Sequence, residues 1–321
     1  MLEISDLSTD IITRDLHVRA VRGFSLRADD GIVTGIVGES GSGKSIAMKS
    51  VLRILPPGGQ IVSGSVEWNG KRIDTLTERE MRGMRGSLMA MIFQDPMTAL
   101  NPVKTIGGHL VDCIRRHHKL SIREATKQAI HSLENVGISS PEVRMKQYPH
   151  EFSGGMRQRI MIAMALSLKP QLLIADEPTT ALDVTTQAQI LDLIQNLQRE
   201  RGMSVILITH DLGVIARLCD RVTVMYGGMA LEEGSVDDIF YRPLNPYTKA
   251  LLQALPRMDD ENRTKLKSIK GSPPSALADQ SETDGICPFY PRCEESTETC
   301  KTSTPPMTTH GNNHCVRCHM R

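Results

Sequence analysis

The chain has 321 residues, a formal net charge of +1, 23% charged and 40% hydrophobic residues, and only 3% aromatic ones. That length can bury a full core and is expected to hold one large domain plus an appendage. Near-neutral charge offers no global field toward nucleic acid or acidic lipid, and no apolar run is long enough to span a bilayer. The start, Met1-Leu2-Glu3-Ile4-Ser5-Asp6, lacks the basic and apolar regions of a secretion signal, so a cytosolic chain is expected. In that compartment seven cysteines argue against a disulfide framework.

In chain order, the apolar stretch Ile32 to Val37 reads as a buried strand, and Ile46-Ala47-Met48 opens a helical pattern. Between them Gly38-Glu39-Ser40-Gly41-Ser42-Gly43-Lys44-Ser45 matches the phosphate-cradling pattern G-x-x-x-x-G-K-[ST]. Glycines let successive N–H groups converge on phosphate oxygens, and the following helix presents its positive dipole end to the same anion. Lys44 then supplies a point charge for the β- and γ-phosphates, and Ser45 a hydroxyl ligand for Mg²⁺. A flexible glycine-serine turn is the bland alternative, but strand, loop and helix are the context the motif requires. Binding of a nucleoside triphosphate is the expectation.

Ser65 to Gly70 reads as a short strand ending in a turn, and from about Ile106 to Ser167 the pattern turns helical. Leu110, Cys113 and Ile114 mark one helical face, and Ile130, Leu133 and Val136 another. Cys113 and Cys219 are expected to pack as small apolar residues. Phe152-Ser153-Gly154-Gly155-Met156-Arg157-Gln158 opens the helix Gln158 to Leu168 with a serine and two glycines, either a second anion-binding N-terminus or an ordinary cap. Leu172-Leu173-Ile174-Ala175-Asp176-Glu177 is an apolar strand ending in two carboxylates. Beside a phosphate loop, Asp176 can reach the Mg²⁺ shell and Glu177 can polarise a water; standing alone the pair would be a polar strand end. Ile190, Leu193, Ile194 and Leu197 form an amphipathic helix, and strands return at Val205 to Ile208 and Val222 to Tyr226. Alternating strands and helices imply a largely parallel sheet covered on both faces.

Beyond Pro256 the pattern dissolves, and Met258 to Gln280 reads as a linker. The remaining segment has too few apolar residues for a core, yet holds five cysteines: Cys287, Cys293, Cys300, Cys315 and Cys318. Segments of that kind usually need a metal or a cross-link. Four thiolates suit an iron–sulfur cluster or zinc, although C-x5-C-x6-C fits no standard zinc ribbon; unligated thiols are the third possibility.

The order of these motifs resembles the ATP-binding subunit of ABC transporters over about residues 1 to 256. In that likeness Walker A is Gly38 to Ser45, the Q-loop is Ile92-Phe93-Gln94-Asp95-Pro96 and the signature is Phe152 to Gln158. Walker B is Leu172 to Glu177, the D-loop is Thr180-Ala181-Leu182-Asp183, and the switch histidine is His210, whose bland alternative is a strand-end histidine. The resemblance implies a P-loop NTPase, α/β with a RecA-like core of mixed or parallel sheet. It also implies an inserted helical signature subdomain at about 97–168, and a linker with a Cys-rich oligopeptide-transporter-type domain at 257–321. It implies a head-to-tail pair of subunits sandwiching two ATP molecules. Ser153, Gly154, Gly155 and Met156 would then meet the nucleotide held by the partner. Gln94 would link Mg²⁺ and the attacking water to the transmembrane subunits, His210 would hold the γ-phosphate and Asp183 would communicate across the dimer.

Two signature positions depart from the family, Phe152 and Met156 standing where Leu and Gln are usual. The family also stacks an aromatic on adenine from the loop before Ala20-Val21; here Arg14 to Arg19 holds none, leaving His17 or an aliphatic side chain for that place. Narrower similarity is to the ATPases of dipeptide and oligopeptide importers. It rests on Met91 to Pro96 with Leu100-Asn101-Pro102, on Asn245-Pro246-Tyr247-Thr248 (commonly His where Asn245 stands) and on the tail from Gly271-Ser272-Pro273-Pro274 onward. Some members ligate a [4Fe–4S] cluster through four tail cysteines. The resemblance places them at Cys287, Cys293, Cys300 and Cys318, with Cys315 spare. The implied partners are a second ATPase chain (identical or paralogous), two permease subunits and, through them, an extracytoplasmic solute-binding protein, at the cytoplasmic face of the inner (plasma) membrane. Nucleic acid is not among them. Another solute, such as nickel or a peptide-like compound, is the alternative. A soluble ABC ATPase would usually carry two cassettes or long coiled-coil insertions, and neither occurs here. A P-loop kinase or GTPase leaves Ser153-Gly154-Gly155 unexplained.

Overall fold

The computed structural model describes residues 1–14, 17–180, 182–255, 269–272, 285–311 and 313–321. Most of the expected linker, and Ala181 of the D-loop, lie outside them. The chain begins with β1 (Leu2–Ile12), β2 (His17–Ala28), β3 (Val33–Val37), α1 (Lys44–Val51), β4 (Gly59–Trp68) and β5 (Lys71–Arg72). Next come α2 (Glu78–Met84), β6 (Met89–Ile92), α3 (Pro96–Ala99), α4 (Ile106–His117), α5 (Ile122–Asn135), α6 (Pro141–Arg144) and α7 (Gly154–Leu166). They are followed by β7 (Leu172–Asp176), α8 (Val184–Arg201), β8 (Ser204–Thr209), α9 (Leu212–Leu218), β9 (Arg221–Tyr226) and β10 (Met229–Ser235). The last elements are α10 (Val236–Tyr241), α11 (Pro246–Gln253), α12 (Glu298–Thr302), β11 (Met307–His310) and β12 (His314–Arg317).

Two units divide this chain, one of residues 1–75 and 208–321, the other of residues 76–207. In the first unit β2-β1-β4-β5 form an antiparallel sheet. A second group runs β11-β12-β10-β9-β3, antiparallel except where β3 lies parallel to β9. β3 is buried at all five positions, which is why its sequence, Val-Thr-Gly-Ile-Val, carries no polar alternation. Against it packs Cys219, buried as expected, its thiol pushed well above the ordinary range by desolvation.

The tail joins this unit. β12 pairs with β10, setting Val316 opposite Glu232 with its side chain fully buried. Phe289 is inserted against Tyr226 and Tyr247, with ring centroids 5.3 and 5.1 Å away. Burying such a ring is worth about 1.5–3 kcal/mol. The core-poor tail thus shares the apolar core of the unit that precedes it.

In the second unit β6 and β7 are parallel, with β8 next to β7. Helices α4 and α5 bury Ile114 and Leu133 completely, on the faces that the sequence periodicity marks, and α7 buries Ile160. Their starts are set by side-chain caps: Thr105 on Gly108 N, Ser121 on Glu124 N, and Ser153 on Met156 N. Cys113 is half-buried on α4, and desolvation raises its thiol pKa.

Candidate active site

The first unit carries the glycine loop between β3 and α1. Gly43 caps α1 with φ 97°, and a Cβ there would lie 2.4 Å from the carbonyl oxygen of Ala20. A Cβ on Gly38 would meet the carbonyl oxygen of Met225 at 2.1 Å. These positions therefore demand glycine for close backbone approach as well as for conformation. Lys44 is buried, and its Nζ donates to the carbonyls of Gly38 (2.7 Å) and Glu39 (2.9 Å) and to Ser42 Oγ at 3.3 Å. The ammonium is thus held at the loop, where a triphosphate would need its charge. His210 is exposed directly after β8, and Asp211 behind it caps α9 through Gly213 N and Val214 N. His17 belongs to β2 and meets Asp10 Oδ2 at 2.6 Å.

Contacts on Glu39 are the feature that sequence reasoning missed. Its backbone N–H donates to Tyr247 Oη at 3.0 Å. Its carboxylate accepts both terminal nitrogens of Arg292, at 2.5 and 3.1 Å. Arg292 also donates to Tyr226 Oη (3.1 Å) and to the carbonyl of Lys270 (3.0 Å), and the Glu39 pair raises its pKa. No local signal announces a pair 253 residues apart. A trace in the sequence is Phe289-Tyr290 just before Arg292, in a chain where aromatics are scarce.

The second unit holds the strand-end carboxylates. Asp176 ends β7 and is buried; Glu177 follows with φ 45°, an unusual conformation for a side chain of its size. Gln94 Nε2 and Thr180 Oγ1 both donate to Glu177 Oε2 at 2.8 Å. Two donors on one oxygen fix the direction of the carboxylate. Ser153 and Gly154 are exposed at the start of α7, while Gly155 lies so close to α8 that a Cβ would approach Thr186 Cγ2 to 2.6 Å. Phe152 is buried, with the Arg144 guanidinium 5.8 Å from its ring centroid. That packing accounts for an aromatic in place of the usual Leu. Asp183 caps α8 by accepting from Thr186 N at 2.9 Å, and this bond lowers its pKa. Each of the two units thus presents its own set of expected site residues.

The tail cysteines separate into two groups. Cys287, Cys293, Cys300 and Cys318 all line one cavity, together with Glu295 and His319. Cys315 stands apart on β12, its Sγ 3.4 Å from Thr309 Oγ1. Desolvation pushes the Cys287 thiol up to about 11 and raises Cys293 as well; a bound cation would reverse that balance. Among the described residues no three His, Cys, Asp or Glu side chains are arranged to hold a metal ion. Asn245 reaches this neighbourhood too. It is buried, accepts from Tyr247 N, and donates Nδ2 to the carbonyls of Leu231 (3.3 Å) and Arg317 (3.0 Å).

A family model described as ABC transporter matches residues 21–180, and one described as Oligopeptide/dipeptide transporter, C-terminal region, matches residues 231–300. The Dipeptide transport ATP-binding protein DppD of Bacillus subtilis is 48% identical over 99% of this chain and 94% of its own length. The chain belongs to the ABC transporter family. A second relative, the Oligopeptide transport ATP-binding protein OppD of Salmonella typhimurium, is 48% identical across 95% of this chain and 89% of its own. Among solved structures, an ATP-binding cassette captured as a dimer in a post-hydrolysis state with ADP and Pi matches with a TM-score of 0.66. It is 25% identical and covers 74% of this chain and 99% of that one. A dimeric bacterial ABC transporter cassette gives the same TM-score at 26% identity. The P-loop NTPase fold of the ABC transporter family is therefore that of this chain.

Proposed function

We propose that this ABC transporter family member is the ATP-hydrolysing subunit of an importer of dipeptides or oligopeptides. The observation that carries the reading is the extent of the likeness. Solved cassettes cover 74% of the chain, whereas a peptide-transport relative covers 99% of it, tail included.

In this reading the loop of Gly38, Glu39, Ser40, Gly41, Ser42 and Gly43 takes the triphosphate with backbone N–H groups other than that of Glu39, which Tyr247 Oη holds. Lys44 neutralises the β- and γ-phosphates, and Ser45 and Asp176 hold Mg²⁺. Glu177 is the general base, with Gln94 aligning it and the attacking water; His210 holds the γ-phosphate. Exposed Ser153 and Gly154, with Gly155 and Met156, would complete a site whose Walker A lies on a second cassette, and Asp183 would link the two sites. Among the described residues no helix is long and apolar enough to cross a membrane. The solute would pass through permease subunits, to which this chain would bind from the cytoplasmic side, with a solute-binding protein delivering peptide outside. ATP-dependent uptake of a labelled dipeptide by the assembled transporter is the test.

The four thiols around the tail cavity are proposed to hold a [4Fe–4S] cluster. Four cysteines lining one cavity are what supports this reading. When bound, it would add a cross-link to a segment with few apolar residues. Anaerobic purification should yield about four irons and four sulfides per chain, lost in Cys293→Ser and kept in Cys315→Ser. Stoichiometric zinc without iron, or no metal at all, would refute it.

A further inference from the structure

We propose that Arg292, in the cysteine-rich tail, is a positioning residue for the phosphate loop, so that the tail sets the affinity for ATP. The proposal rests on the ATPase reading above. Glu39 is the second residue of the loop and is held at two points. Tyr247 Oη accepts its N–H at 3.0 Å, and Arg292 grips its carboxylate in a two-pronged pair. The Arg292 side chain is only 6% exposed and Glu39 25%. Such a pair is shielded from solvent and carries more weight than an ordinary surface ion pair.

Arg292 is itself fixed. Its Nε donates to the Lys270 carbonyl, one terminal nitrogen donates to Tyr226 Oη, and its guanidinium stands 5.7 Å from the Tyr226 ring centroid. Tyr226, Tyr247 and Phe289 pack on one another beside it, with centroid separations of 4.6 to 5.3 Å. The Glu39 carbonyl, in turn, is one of the acceptors that hold Lys44 Nζ. A continuous set of contacts therefore runs from the tail through Glu39 to the loop lysine. Cys293, adjacent to Arg292 in sequence, lines the cysteine cavity. Events at that cavity lie one residue from the grip on the loop.

An arginine that only stabilised the tail would act on folding; one that positions the loop acts on nucleotide affinity through Glu39. The two roles separate in a double-mutant cycle on the full-length chain in its assembled transporter, read by titration with a fluorescent ATP analogue and by hydrolysis kinetics. Arg292→Gln should weaken nucleotide binding about tenfold or more, the scale of losing a charged hydrogen-bonded partner, and raise KM for ATP with little change in kcat. Glu39→Gln should weaken binding similarly, and the double variant should be no worse than either single one, because both remove the same interaction. Arg292→Lys, which keeps the charge, should recover part of the affinity and guards against a misfolded Gln variant. Unchanged affinity in Arg292→Gln, or single effects that add in the double variant, would overturn the proposal. Wild-type chain that binds ATP but imports no peptide would contradict the importer and leave this test intact. Wild-type chain that binds no ATP would overturn both.

Discussion

Glu177→Gln should lower steady-state ATP hydrolysis by the assembled transporter by about 10²–10⁴-fold, the usual worth of a general base, while nucleotide binding survives. The substitution keeps the shape of the side chain and an oxygen able to accept from Gln94 and Thr180, both of which now bond Glu177 Oε2. What it removes is the basicity needed to take a proton from the attacking water. The φ of 45° at this residue shows that its backbone is held in a sparsely populated conformation, a state that persists where the surroundings fix it. Phosphate release and nucleotide binding, measured on the same preparation, separate chemistry from affinity. Hydrolysis at the wild-type rate would remove Glu177 from the role of base.

Gly43→Ala should instead weaken binding itself. The residue has φ 97°, and a Cβ would stand 2.4 Å from the Ala20 carbonyl oxygen, a backbone atom that cannot swing aside. Left-handed strain and the forced shift each cost about 1–3 kcal/mol. Relieving them means moving the loop proposed to present N–H groups to phosphate. A cost of about 2 kcal/mol taken out of binding is some 30-fold in affinity. A titration with a fluorescent ATP analogue reads the loss, and circular dichroism checks that the fold remains. Unchanged affinity would show that the loop does not cradle the phosphates.

Motifs were legible in the sequence where the chemistry is local. Gly38 to Ser45, and Asp176 with Glu177 at the end of an apolar strand, are contiguous and of unusual composition, and the resemblance they carried led to the ABC transporter family. The helical faces of α4 and α5 were legible from their period. What stayed hidden is long-range or irregular. β1 lacks clean alternation because its pairing with β2 and β4 shifts register between Ile4 and Asp10. The docking of β12 on β10 rests on two residue pairs contributed by a tail with little apolar character. The grip of Arg292 on Glu39 joins residues that no periodicity could associate. Phe152 reads as a departure from the signature until its ring is found buried beneath Arg144.

The central claim, that ATP hydrolysed by this chain drives peptides inward, is tested most directly by transport. The chain would be reconstituted in proteoliposomes with the permease subunits and solute-binding protein proposed for it, ATP placed on the side of the cassettes and a labelled dipeptide on the other. The expected result is accumulation of the dipeptide that requires hydrolysable ATP and is lost in Lys44→Ala and Glu177→Gln. Steady ATP hydrolysis with no ATP-dependent movement of any dipeptide or oligopeptide would contradict it.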